Sequence, residues 1–69
     1  MPAPDLSSMS DAELEEYTKE RIGIAIRAHP RSRDVVMFWS RAYECATEWN
    51  RRGQPERYEK AEKEERSNR

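Results

Sequence analysis

The sequence predicts an all-α chain, an antiparallel hairpin of two main helices with a short charged helix after it, completed as a four-helix bundle by dimerisation. Three observations lead there. A helix-start signature stands at Ser10, two apolar stripes of helical period are separated by a turn at His29-Pro30, and both stripes are wider than one hairpin can cover. The expected organisation is a flexible N-terminal arm at 1–9, the hairpin at 10–53 and a solvated charged helix or tail at 54–69.

The arm carries two prolines and no periodicity. Ser10-Asp11-Ala12-Glu13 then reads as a capping box, in which the serine hydroxyl accepts from the Glu13 amide and the Glu13 carboxylate reaches back. Asp11, Glu13, Glu15 and Glu16 crowd the first turns, where the helix dipole favours acids. Met9 and Leu14 suit a hydrophobic staple across this start. The helix should run to about Ala28, because Pro30 disfavours helical geometry at His29. Placed at helical steps, Leu14, Tyr17, Ile22, Ile24, Ala25, Ile26 and Ala28 cover an arc of about 200°, with Glu16, Lys19, Glu20, Gly23 and Arg27 opposite.

A turn of His29-Pro30-Arg31-Ser32 leads to the second helix, with Ser32 as its N-cap and Asp34 in its first turn. It should run to about Arg52, where Gly53 supplies a left-handed stop. Val35, Phe38, Trp39, Ala42, Tyr43, Cys45, Ala46 and Trp49 share one side over about 180°, away from Arg41, Glu44, Glu48 and Arg51. Two helices joined by so few residues fold back antiparallel. Gln54-Pro55 opens the last segment with proline at the favoured first position. Glu56–Lys60, Glu59–Lys63 and Glu62–Arg66 are acid-first pairs worth about 0.2–0.5 kcal/mol each. Tyr58 and Ala61 are its only apolar residues, so it reads as a solvated helix pinned by Tyr58.

Composition narrows the class. A chain of 69 residues buries only about 60% of its unfolded surface and is marginal alone. One cysteine, Cys45, excludes an intramolecular disulfide, and one histidine, His29, leaves no zinc-binding spacing. A partner is the remaining source of stability. Thirteen basic against fourteen acidic residues give a net charge of −1, without the positive excess of a nucleic-acid module. No apolar run approaches the roughly 18 residues of a membrane span, and the first residues lack a signal-peptide pattern. The expected setting is cytoplasmic, with no membrane.

The arithmetic of the stripes points to an interface. Two helices packed only on each other need apolar arcs of about 100° each; here both are nearly twice that. A lone hairpin would expose several hundred Å² of apolar surface, about the scale of an interaction site. A two-fold pairing of hairpins closes it most simply, with Ala42 and Ala46 allowing close approach; a different protein would serve equally.

Candidate chemistry is sparse. A reactive cysteine needs a basic neighbour or a helix N-terminus, and Cys45 stands about 18 Å from the turn holding His29. It reads as a core residue, His29 as a surface residue, and the acids of the first helix as capping groups. No cofactor, metal or catalytic residue is expected. The candidate partner-binding residues are Met37, Phe38, Trp39, Tyr43 and Trp49 of the second helix, since tryptophan and tyrosine dominate binding hot spots, with Met37 off the main stripe as the best exposed contact. Arg27, Arg31 and Arg33 join them: three arginines and no acid within seven residues at the hairpin tip. The expected function is a non-enzymatic helical interaction module, an accessory or regulatory factor pairing with itself or with another protein. The alternatives are a small dimeric DNA-associated regulator using the basic turn, with nucleic acid the disfavoured partner, and a small subunit of a larger enzyme.

Overall fold

Ser10 does what its position beside an acidic first turn dictates. Its hydroxyl accepts from the Glu13 amide at 3.2 Å, and its own amide donates to Glu13 Oε1 at 3.0 Å. The amide donated by Ser10 holds the Glu13 carboxyl below its ordinary range. In the computed structural model, which describes residues 4–67, this box opens α1 (Asp11–Arg27). The expected arm and tail at 1–3 and 68–69 lie outside the described residues. Helices α2 (Val35–Arg51) and α3 (Pro55–Ser67) follow, and all regular structure among the described residues is helical.

The α1–α2 connection, residues 28–34, is longer than the expected His29–Ser32 turn. Ser32 donates its amide to the His29 carbonyl at 2.9 Å, and its hydroxyl accepts from the Asp34 amide at 3.2 Å. It therefore makes an N-cap-like bond, but through a four-residue turn closed by Val35 N–H on the Ser32 carbonyl at 3.3 Å, which delays regular helix to Val35. At the other end of α2, Gly53 has φ +75°. The Gly53 amide bonds the Asn50 carbonyl at 3.0 Å and the Gln54 amide bonds that of Trp49 at 2.9 Å, the paired bonds of a Schellman stop.

Helices α1 and α2 run antiparallel, with Arg52 meeting Asp11 and Trp49 meeting Thr18. Leu14, Thr18 and Ile22 of α1 and Ala42, Cys45 and Trp49 of α2 have no exposed surface. Thr18 was not expected in the core. Its hydroxyl donates to the Leu14 carbonyl at 2.6 Å and accepts the Trp49 indole N–H at 3.1 Å, so both polar groups are buried satisfied.

The third segment differs from the expected solvated helix. Ala61 is 2% exposed and packs with Ile22 and Ala42, flanked by Ile26, Trp39 and Tyr58. Two alanines against one isoleucine let three backbones converge, and the wide α1 and α2 stripes supply apolar surface for α3 to cover. Of the three intrahelical pairs, Glu62–Arg66 closes at 3.2 Å, while Lys19 of α1 reaches Glu64 of α3 at 3.1 Å. Gly23, placed on the polar side by the sequence, is buried here beneath Arg27 and Glu65. The result is a slab of 33 × 30 × 16 Å. Among the described residues no helix is long and apolar enough to cross a membrane.

Candidate functional site

Five consecutive apolar residues, Val35 to Trp39, begin α2. At 3.6 residues per turn they encircle the helix, so they cannot all face the core. The structure resolves the conflict by turning Val36 (71% exposed) and Met37 (56%) outward, while Val35, Phe38 and Trp39 stay half-buried. Tyr43 is 58% exposed. It stands seven residues beyond Val36, on the same face, and stacks on Trp39 with ring centroids 5.9 Å apart and planes 27° from parallel. Val36, Trp39 and Tyr43 thus form one apolar ridge; Met37 lies about a quarter-turn round the helix from it.

The expected binding residues of α2 therefore divide. Met37 and Tyr43 are surface residues, although Tyr43 had been assigned to the buried stripe. Phe38 and Trp39 bound the core with part of each ring outside. Trp49 has no exposed surface and cannot touch a partner: its indole is bonded to Thr18 and faced by the guanidinium groups of Arg52 and Arg57, 5.7 and 5.3 Å from the ring centroid. Val36 was missed, and the five-residue apolar run was the signal that would have found it.

At the tip, where α1 ends and α2 begins, Arg27, Arg31 and Arg33 are all exposed. His29 is exposed as well, its Nδ1 accepting from the Arg31 amide at 3.1 Å. None of the three arginines enters an ion pair among the described residues. Between the end of α1, the start of α2 and α3 lies a cleft of about 290 Å³ lined by Ile26, Ala28, Pro30, Val35 and Trp39, with Arg66 on the α3 side. Arg66 donates through Nε to Glu62 at 3.2 Å and holds its Cζ 5.8 Å above the Trp39 ring.

The opposite end, the base, is a closed polar cluster that sequence reading did not foresee. Glu48, expected to point away, is 8% exposed. Arg51 and Arg52 both donate to its carboxylate, Arg52 at 2.7 Å, and hold that carboxyl down to about 2. Arg52 also donates to Asp11 at 2.8 Å and to the carbonyls of Leu6 and Met9 at 2.9 and 2.7 Å. It thereby fixes the later part of the expected flexible arm, where Asp5 caps a short 3₁₀ turn at Leu6–Ser8. The spacing of Glu48 to Arg51 and Arg52, three and four residues, was the available signal.

Nucleophilic chemistry finds no assembly. Cys45 has no exposed surface, its thiol donates to the Arg41 carbonyl at 3.6 Å, and burial pushes it above the ordinary thiol range. Among the described residues no cluster of three or more His, Cys, Asp or Glu side chains is placed to hold a metal ion. No protein-family model, no curated protein and no solved structure matches this chain.

Proposed function

We propose that this chain is a non-enzymatic helical interaction module, an accessory or regulatory factor that meets another protein through the outer face of α2 and the adjoining tip. One observation carries the reading. After α3 has covered the inner surfaces of the hairpin, Val36, Met37 and Tyr43 still stand largely in water on a single helix. Exposed apolar side chains gathered on one helix of a small, highly charged surface mark a place where water is displaced by a partner. The buried thiol of Cys45 and the distant, exposed His29 support the non-enzymatic part of the reading.

The simplest partner is a second copy. A two-fold axis near Tyr43 would pair the α2 faces and set two hairpins, four helices in all, around one seam, with α3 on the flank of each. Sedimentation velocity at micromolar concentration tests this pairing, with Tyr43→Asp as the variant. The parent should sediment as a dimer and the variant as the 8.2 kDa monomer. A parent that remains monomeric removes self-pairing and leaves a different protein as the partner. The exposed, unpaired arginines favour one second reading, a dimeric DNA-associated regulator; the net charge of −1 weighs against it.

A further inference from the structure

The tip combines two features that separately mean little. Its cleft has apolar walls, is open to solvent and has room for one or two side chains. The cleft's one charged wall is Arg66, whose Nη groups make no hydrogen bond among the described residues, and the exposed Arg31 and Arg33, without an ion pair there, adjoin it in the turn that follows its Pro30 wall. The acids near these arginines are Asp34, which makes no capping bond, and Glu62 and Glu65 of α3, of which Glu62 is engaged by Arg66. The contrast with the base is direct, since Arg51 and Arg52 there are both held by carboxylates.

From this we infer that the tip is a receptor for an acidic linear segment of another protein, one bulky apolar side chain entering the cleft and flanking carboxylates meeting Arg31, Arg33 and Arg66. The occupant follows from charge complementarity. Guanidinium groups with free N–H pairs recognise carboxylates in bidentate fashion, and an apolar anchor seated in the adjoining cleft would displace water from Val35 and Trp39. A bilayer is the poorer fit because Ile26, Ala28, Val35 and Trp39 of the cleft are each half-buried and offer little protruding apolar surface. Duplex DNA is the poorer fit because it offers no apolar side chain for the cleft.

The inference rests on the reading of this region as a protein-docking surface, and its test separates the two. A fluorescein-labelled peptide of aspartate, glutamate and serine with one central phenylalanine is titrated with the full chain and followed by anisotropy. Three comparison peptides carry asparagine and glutamine for the acids, alanine for the phenylalanine, or both changes. Anionic phosphatidylglycerol vesicles and a short DNA duplex complete the set. The acidic phenylalanine peptide should bind at least about tenfold more tightly than any comparison peptide, and more tightly than vesicles or duplex. Its affinity should fall at least severalfold as salt rises through the range where the screening length drops below about 8 Å. The double variant Arg31→Gln/Arg33→Gln should weaken it about tenfold with an unchanged melting temperature. In ¹H–¹⁵N spectra the Trp39 indole N–H should shift on binding while that of Trp49 stays.

Equal binding of the uncharged peptide, binding unchanged in the double variant, or tighter binding of vesicles or DNA would overturn the inference. So would the absence of peptide binding by the parent. If the peptide fails while self-association is abolished by Tyr43→Asp, the docking surface stands and only its acidic occupant is lost.

Discussion

The two ends of the molecule use the same side chain in opposite ways. At the base, the Arg52 side chain is 13% exposed and directs its donors to two carboxylates and two backbone carbonyls. At the tip, Arg31 and Arg33 stand in water without an ion pair among the described residues, and Arg27, also exposed and without one, lies back over Gly23. A guanidinium with most of its N–H groups directed at fixed acceptors holds structure; one with its donors pointed at solvent contributes almost nothing to the fold and is available for recognition. The difference teaches that arginine content alone does not locate function in a chain this charged. What matters is which arginines the fold has already engaged.

The two tryptophans sharpen this comparison most strongly. Trp49→Ala removes a fully enclosed ring at the base and leaves Thr18 without its donor. The loss should be about 3–5 kcal/mol, enough to unfold much of a chain with the usual marginal stability. Trp39→Ala removes a ring already partly in water and should cost clearly less. Denaturant titrations of both variants check the order; equal losses would mean that the tip is as tightly packed as the base.

Arg52→Lys should come next. One ammonium cannot reach Glu48, Asp11 and the carbonyls of Leu6 and Met9 together, so amide exchange should accelerate across residues 5–11 before it does in α2. Protection unchanged in that segment would show that the arm is held by something other than Arg52. The same cluster fixes the acid response. Glu48 titrates at about 2 in the folded chain against an ordinary 4.5. A depressed folded pKa makes its contribution to stability complete above the ordinary value and progressively lost as pH falls toward 2. The stability gap between the parent and Glu48→Gln should therefore narrow across that interval; a gap independent of pH would break the assignment.

Gly53→Ala should cost about 1–2 kcal/mol, the expense of a Cβ in left-handed backbone, because nothing else crowds that position. The smallest effect belongs to the tip. Replacing Arg31 and Arg33 by glutamine should change stability by less than about 0.5 kcal/mol, measured by the same denaturant titration. A larger loss would show that these arginines hold structure after all.

Much of the fold was legible because its signals are local. The Ser10–Glu13 box, the break before Pro30, the Gly53 stop and Pro55 at a helix start each act within a few residues, and each stands where the sequence placed it. Positions set by long-range packing were not legible. The width of the two apolar stripes was read correctly, but part of their surplus is covered by Ala61 and Tyr58 of the chain's own third helix. A single alanine in a run of Glu, Lys and Arg carries no periodic signal, so that docking was invisible. Thr18 was left unplaced and Glu48 misplaced for a related reason: each is a polar residue whose burial depends on a partner, the Trp49 indole for one and Arg51 and Arg52 for the other. At the candidate surface, Met37 and the three arginines stand exposed as expected, whereas Tyr43 and Trp49, read alike from the sequence, part company: Tyr43 is exposed and Trp49 is enclosed. A wheel gives the direction of a side chain but not which neighbouring helix meets it.

The placement of the two indoles also gives the molecule a pair of built-in optical reporters. Trp49, sealed at the base, should emit toward the blue and resist collisional quenching by iodide or acrylamide, so its signal tracks unfolding. Trp39, half-open at the tip and lying beneath the Arg66 guanidinium, should emit further to the red and be quenched readily. The nearby positive charge should also draw iodide closer than caesium. A ligand seated in the tip cleft would shield the second signal and leave the first untouched, so occupancy and folding can be read separately from an unlabelled chain.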